Sequence, residues 1–159
     1  MWQNSFPSEI LKGSGVADFE ILEDITSADV AVRFYGDSLE SLFLAGGRAV
    51  VAVMIDDPAS LGSGITRSFD LESEELDLLL HAFLQEFVFY KDAELLLLAP
   101  KEVSITSSEG RYRLRCLAAG ERADTKKHSF NVDVKAVTMH KFEVKCENGR
   151  WSATVVFDV

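Results

Sequence analysis

The sequence predicts a single α+β domain in which two helices pack on mostly antiparallel β-sheet. Three observations carry that expectation: period-two hydrophobic alternation fills much of the chain, two stretches of three-to-four spacing interrupt it, and everything from Glu94 onward is strand-like. The chain has 159 residues, 47% hydrophobic and 26% charged. Those are the proportions of an ordinary folded domain, and a chain of this length buries roughly 70% of the surface it exposes when unfolded. The core needs no covalent staple. Cys116 and Cys146 form no CxxC pairing, so neither a zinc knuckle nor a secreted disulfide scaffold is indicated, and both read as reduced thiols.

Residues 1–15 carry Phe6, Ile10 and Leu11 before Gly13-Ser14-Gly15 and read as a flexible N-terminal arm, leaving 16–159 as the folded domain. Val16–Leu22 and Asp29–Tyr35 alternate like adjacent half-buried strands joined by Glu23–Ala28. After Gly36, the residues Leu39, Leu42, Phe43, Gly46, Val50, Val53 and Met54 form the stripe of an amphipathic helix over 37–55. Asp37 with Glu40 three positions on makes a capping-box pattern. Gly46-Gly47 inside the helix implies that something packs very close there, because glycine costs about 1 kcal/mol relative to alanine in a helix. Asp56-Asp57-Pro58 stops it, since proline excludes the helical conformation from the residue before it.

Ile65–Leu71 reads as a short strand with Ile65, Arg67, Phe69 and Leu71 on one side. A second helix follows, capped by Ser73, with Glu74 and Glu75 in its first turn, a stripe of Leu76, Leu79, Leu80, Phe83 and Phe87, and an end near Tyr90. Beyond it, strands are expected over 95–98, 103–106, 111–117, 132–139, 142–145 and 151–159. Ser108-Glu109-Gly110 and Asn148-Gly149 are turn signals, and the Ala119–Ser129 stretch with Lys126, Lys127 and His128 reads as a long loop of the kind that often carries function.

A net charge of −10 disfavours a surface that attracts nucleic acid or anionic membrane everywhere. The charge is uneven: residues 1–110 hold 6 Lys/Arg against 20 Asp/Glu, whereas 111–159 hold 10 against 6. The basic third could face an anionic partner, although basic residues on exposed strands also serve solubility. The N-terminus lacks a basic start followed by an apolar stretch, and no apolar run approaches the roughly 18 residues of a membrane span, so a cytoplasmic protein without membrane contact is expected.

Nucleophile and phosphate-loop signatures are absent: there is no GxSxG, GxxxxGK[ST] or GxGxxG. His81, His128 and His140 show no metal-binding helix spacing. The carboxylates say more. Trp151–Val159 keeps its strand pattern to the last residue, which holds the Asp158 side chain and the Val159 α-carboxylate close together. With a third hard oxygen donor such as Asp29, at the mouth of an apolar strand, they would suit Ca²⁺ or Mg²⁺. Asp29 could equally be a turn cap.

Three blocks and the terminus, in order, resemble the archease family: Thr26-Ser27-Ala28-Asp29-Val30 with Tyr35-Gly36 and Ser38-Leu39-Glu40; then Lys127-His128; then Val134-Lys135-Ala136-Val137-Thr138-Met139-His140; and finally Phe157-Asp158-Val159. The resemblance implies a compact α+β domain and an accessory factor without catalysis of its own. It also implies a partner, an RtcB-type RNA ligase of tRNA splicing and RNA repair, whose guanylylation and multiple turnover such factors promote, with any RNA or GTP met through the ligase. By motif, Asp29, Asp158 and the Val159 carboxylate match the family's divalent-metal site, and Lys135 matches a lysine of the activation, with Lys127 and His128 as further candidates for partner contact. The residues also admit a metal-dependent phosphoester hydrolase, with His128 or His140 as general acid or base, and an RNA-binding chaperone acting through 111–159.

Overall fold

A computed structural model describes residues 18–22 and 29–159; the expected arm and the Glu23–Ala28 connection lie outside them. The chain order is β1 (Phe19–Leu22), β2 (Asp29–Gly36), α1 (Leu39–Met54), a 3₁₀ turn at Pro58–Ser60, β3 (Ile65–Ser73), α2 (Leu76–Glu94), β4 (Leu96–Ser108), β5 (Arg111–Arg122), β6 (Ala136–Val137), β7 (Glu143–Glu147) and β8 (Arg150–Asp158). The described strands form two sheets in which every pairing is antiparallel. One runs β1-β2-β8-β6 with β7 also on β8, and the other runs β3-β5-β4.

The helices lie with their apolar faces on these sheets. Alternation along β2 turns Val30, Val32 and Phe34 inward, and β8 answers with Ala153, Val155 and Phe157, all buried. α1 is apolar nearly all round, with Leu42, Phe43 and every residue from Ala49 to Met54 buried, because it touches both sheets. The glycine pair explains how. A Cβ on Gly46 would meet the Phe34 ring at 2.7 Å, and one on Gly47 would meet Pro100 Cγ at 2.6 Å. Gly46 therefore lets the helix settle on the five-stranded sheet and Gly47 lets it settle on β4. Between α1, α2 and β3, Phe83 stands 5.3 Å from Phe43, 5.2 Å from Phe87 and 6.0 Å from Phe69 in tilted and edge-on contacts, the geometries that aromatic quadrupoles favour.

The turns are where the sequence places them. Glu109 and Gly110 adopt positive φ between β4 and β5, as do Asn148 and Gly149 between β7 and β8. Several boundaries differ. α1 is capped by Ser38 rather than Asp37: the extended Ser38 accepts from the Ser41 N–H at 3.1 Å, and the Ser41 hydroxyl accepts from the Ser38 N–H at 3.0 Å, so Ser41 replaces Glu40 in the box. Ser73 ends β3 and accepts from the Glu75 N–H at 3.1 Å, and α2 starts after Glu75 with Asp77 as its first-turn acid. The same helix continues past Tyr90 to Glu94 and stops where Leu95 turns left-handed at φ 56°. The two strands expected over 95–106 are one, β4, with an irregularity between Pro100 and Glu102. β5 extends to Arg122 and shortens the long loop from its front. Of the strand expected over 132–139, only Ala136–Val137 is laddered. Among the described residues, no helix is long and apolar enough to cross a membrane.

Gly46→Val should lower stability by about 2 kcal/mol, because overpacking a closed contact of this kind costs more than the gain in helix propensity returns. Urea unfolding of the variant checks it, and an unchanged midpoint would mean that Phe34 moves aside freely.

Candidate functional site

β2 and β8 pair over eight positions, from Asp29↔Asp158 to Gly36↔Trp151. Because strand side chains alternate, the register that buries Val30, Val32 and Phe34 with Ala153, Val155 and Phe157 sends Asp29 and Asp158 together to the opposite face. Directly opposed residues have Cβ atoms about 5 Å apart, and like charges there repel. Neither carboxylate forms an ion pair or side-chain hydrogen bond with another described residue. Two hard oxygen donors on one face, with no ion pair to another described side chain, have the chemistry that a hard divalent ion takes. Among the described residues no three His, Cys, Asp or Glu side chains cluster as ligands. Val159, the residue expected to offer its carboxylate beside them, follows β8 directly and is half-buried.

Lys135 reaches the same end of the sheet. Its N–H donates to the Asp158 carbonyl at 2.8 Å, and the next residue, Ala136, pairs with Asp158 in the ladder. Backbone pairing thus brings Asp29, Asp158 and the Lys135 main chain to one end of the sheet, with Val159 next along the chain.

Lys127 and His128 sit elsewhere, in a cluster around Glu121 that the sequence does not reveal. The Glu121 carboxylate accepts from Lys127 Nζ at 2.7 Å, from the Gly62 N–H at 2.9 Å and from His128 Nε2 at 2.9 Å. Lys127, the Gly62 amide and His128 hold this carboxyl far below the usual range, at about 2. His128 is buried, and its Nδ1 accepts from the Asp124 N–H at 2.9 Å, which fixes the neutral tautomer with the proton on Nε2. Both ring nitrogens are engaged. The cluster clasps the chain after β5 to the segment before β3, while Ser129 and Asn131 continue onto the end of α1 through backbone bonds to Asp56 and Met54.

The cysteines are free, Cys146 exposed and Cys116 buried, and burial pushes the Cys116 thiol up to about 12, which keeps it unreactive.

Two helices between a five-stranded and a three-stranded antiparallel sheet, with a carboxylate pair at the end of the central strands, define a small α+β protein whose site is built from strand ends. Residues 19–159 match the archease protein family, and the chain belongs to that family. The archease proteins of Pyrococcus furiosus and Pyrococcus abyssi are 34% and 37% identical to it over 134 residues, covering 84% of this chain and 94% of each relative. The solution structure of Methanobacterium thermoautotrophicum protein 1598 superimposes with a TM-score of 0.78 at 32% identity, covering 91% of this chain and 100% of that one. An archease crystal structure from Thermotoga maritima, described as a possible chaperone, shares the fold at a TM-score of 0.59 and 17% identity, over 87% of this chain and 97% of that one.

Glu121 predicts a pH response. Its folded-state value of about 2 lies below its ordinary 4.5, so its contribution to stability is complete above about pH 4.5 and is lost as pH falls toward 2. Between those limits the urea midpoint of the wild type should fall more steeply with acid than that of Glu121→Gln; parallel curves would show that the clasp does not couple to folding.

Proposed function

We propose that this protein is an accessory factor that activates an RtcB-type RNA ligase, promoting its guanylylation and multiple turnover in tRNA splicing and RNA repair. Membership of the archease family supports the reading, as does the resemblance of the Asp29, Lys135 and Phe157-Asp158-Val159 blocks to that family's motifs. The observation that carries it is the opposition of Asp29 and Asp158 on one sheet face, with Lys135 docked on the same strand end. Asp29, Asp158 and the Val159 carboxylate would hold the divalent ion, Ca²⁺ or Mg²⁺. When bound, the cation neutralises charge that carboxylates and a phosphate would otherwise oppose. Asp29 and Asp158 orient the oxygen donors from adjacent strands, and Lys135 offers a positive charge beside them for an anionic group on the ligase or its nucleotide. Contact with RNA or GTP comes through the ligase, and the working compartment is the cytoplasm. A hydrolase reading needs a general acid or base beside the carboxylates; of its two candidates, His128 and His140, the first spends both nitrogens in the Glu121 cluster.

The test is RNA joining by a cognate ligase at limiting enzyme, with wild type, Asp29→Asn and Asp158→Asn. Wild type should raise turnover, and each variant should lose about tenfold or more of that stimulation, since even supporting groups around a metal are worth that much. The variants should be folded and, in chelator, up to about 1 kcal/mol more stable than wild type, because removing one of two opposed charges relieves repulsion. Variants that stimulate fully would overturn the role of the pair. A short C-terminal extension should also abolish stimulation by displacing the Val159 carboxylate; full activity would remove Val159 from the site.

A further inference from the structure

We infer that α2 is the outer support of this site, with Gln85, His81 and Lys91 as positioning residues that fix the 133–138 segment against the end of β8. The inference rests on the function proposed above and names residues that act through Lys135 and Asp158 rather than on the ion or the partner.

The segment has two edges. Along one it joins β8: the Lys135 N–H donates to the Asp158 carbonyl, Ala136 and Val137 pair with Asp158 and Phe157, and the Thr138 N–H and hydroxyl both donate to the Val156 carbonyl, at 3.0 and 2.9 Å. A strand of two laddered residues is too short to hold its register unaided. Its other edge would be a row of open backbone groups, and no described strand covers it.

Side chains of α2 take the place of that strand. Gln85 Oε1 accepts from the Val137 N–H at 3.0 Å, while His81 Nε2 lies 2.7 Å from the Val137 carbonyl and so carries the proton that bonds to it. One helix turn is enough to bring both to the same residue, since residues four apart share a helix face. The His81 ring also stands edge-on to Phe142, 6.0 Å away, which fixes the chain leaving β6. Further along the helix, Lys91 Nζ donates to the Val134 carbonyl at 2.8 Å and pairs with Asp133 and Asp92. Lys91 is only 4% exposed, and an ammonium is kept there because two carboxylates and a carbonyl satisfy it. Asp133 and Val134 immediately precede Lys135. Loss of these ties would free Lys135 and, through the Lys135–Asp158 bond, loosen one wall of the carboxylate pair.

Gln85 is the residue to change, because it is half-buried and uncharged, whereas truncating the Lys91 pair would endanger the fold. Gln85→Leu removes the acceptor for the Val137 amide and Gln85→Glu keeps one. Terbium luminescence titration should show affinity about tenfold weaker in Gln85→Leu and at or above wild type in Gln85→Glu. Amide exchange at residues 135–138 should quicken in Gln85→Leu alone, with α1 amides unchanged. Unaltered terbium affinity in Gln85→Leu, or loss in both variants, would overturn the inference. Wild type that binds terbium but leaves the ligase unstimulated would sink the proposed function, while the ratio between the Gln85 variants would still decide the positioning. Wild type that binds no terbium would overturn both.

Discussion

The antiparallel register of β2 on β8 is the constraint from which the other arrangements follow. Strand side chains alternate with period two, so this register decides at once which residues enter the core and which reach the open face. Shifting β2 by one residue would drive Asp29 toward the interior and expose Phe34, which is fully buried against α1. The large apolar term of the core thereby enforces the small and locally unfavourable approach of two carboxylates. Hydrophobic burial, at about 25 cal/mol per Å², outweighs a single opposed charge pair on a sheet surface.

β8 is also the strand on which β2, β6 and β7 all pair, β2 on one edge and β6 and β7 on the other. Its last turn of the ladder is finished by a segment that a helix, rather than another strand, holds in place. The Glu121 clasp works on the same chain further upstream, anchoring 121–131 to the Gly62 segment and to the end of α1 before the chain reaches Asp133. From Arg122 to Val137 the chain has little secondary structure of its own. Its course is set by side chains of β5 and α2 and by backbone bonds at the end of α1, and Lys135 lies near the end of that course.

Most elements were legible in the sequence because their cause is local. The α1 stripe, the Asn148-Gly149 hairpin and the alternation of β2 and β8 each depend on residues a few positions apart, and the glycine pair announced a close contact without naming Phe34 and Pro100 as its partners. The departures have non-local causes. Lys91 breaks the apolar stripe of α2 and hid its last turn, yet the position is buried because Asp133, 42 residues later, pairs with it. Alternation from Val132 to Val134 reads as strand, but α2 side chains occupy the edge that a ladder would need. Asp37 and Ser38 are both good caps, and side-chain geometry alone chose the serine. Asp29 and Asp158 were legible as candidates through strand ends and family resemblance. Their direct opposition was not, because periodicity carries no pairing partner across more than 120 positions. Glu121 gave no signal at all, since a glutamate near a strand end looks like solvated surface until Gly62, Lys127 and His128 converge on it.

The proposed function requires a cation between the two opposed aspartates. Anomalous diffraction from crystals grown with Mn²⁺, collected on both sides of the manganese edge, locates such an ion without reference to activity. One strong anomalous peak is expected within coordination distance of Asp29, Asp158 and the Val159 carboxylate. Full manganese occupancy elsewhere in the molecule, with none between Asp29 and Asp158, would contradict it.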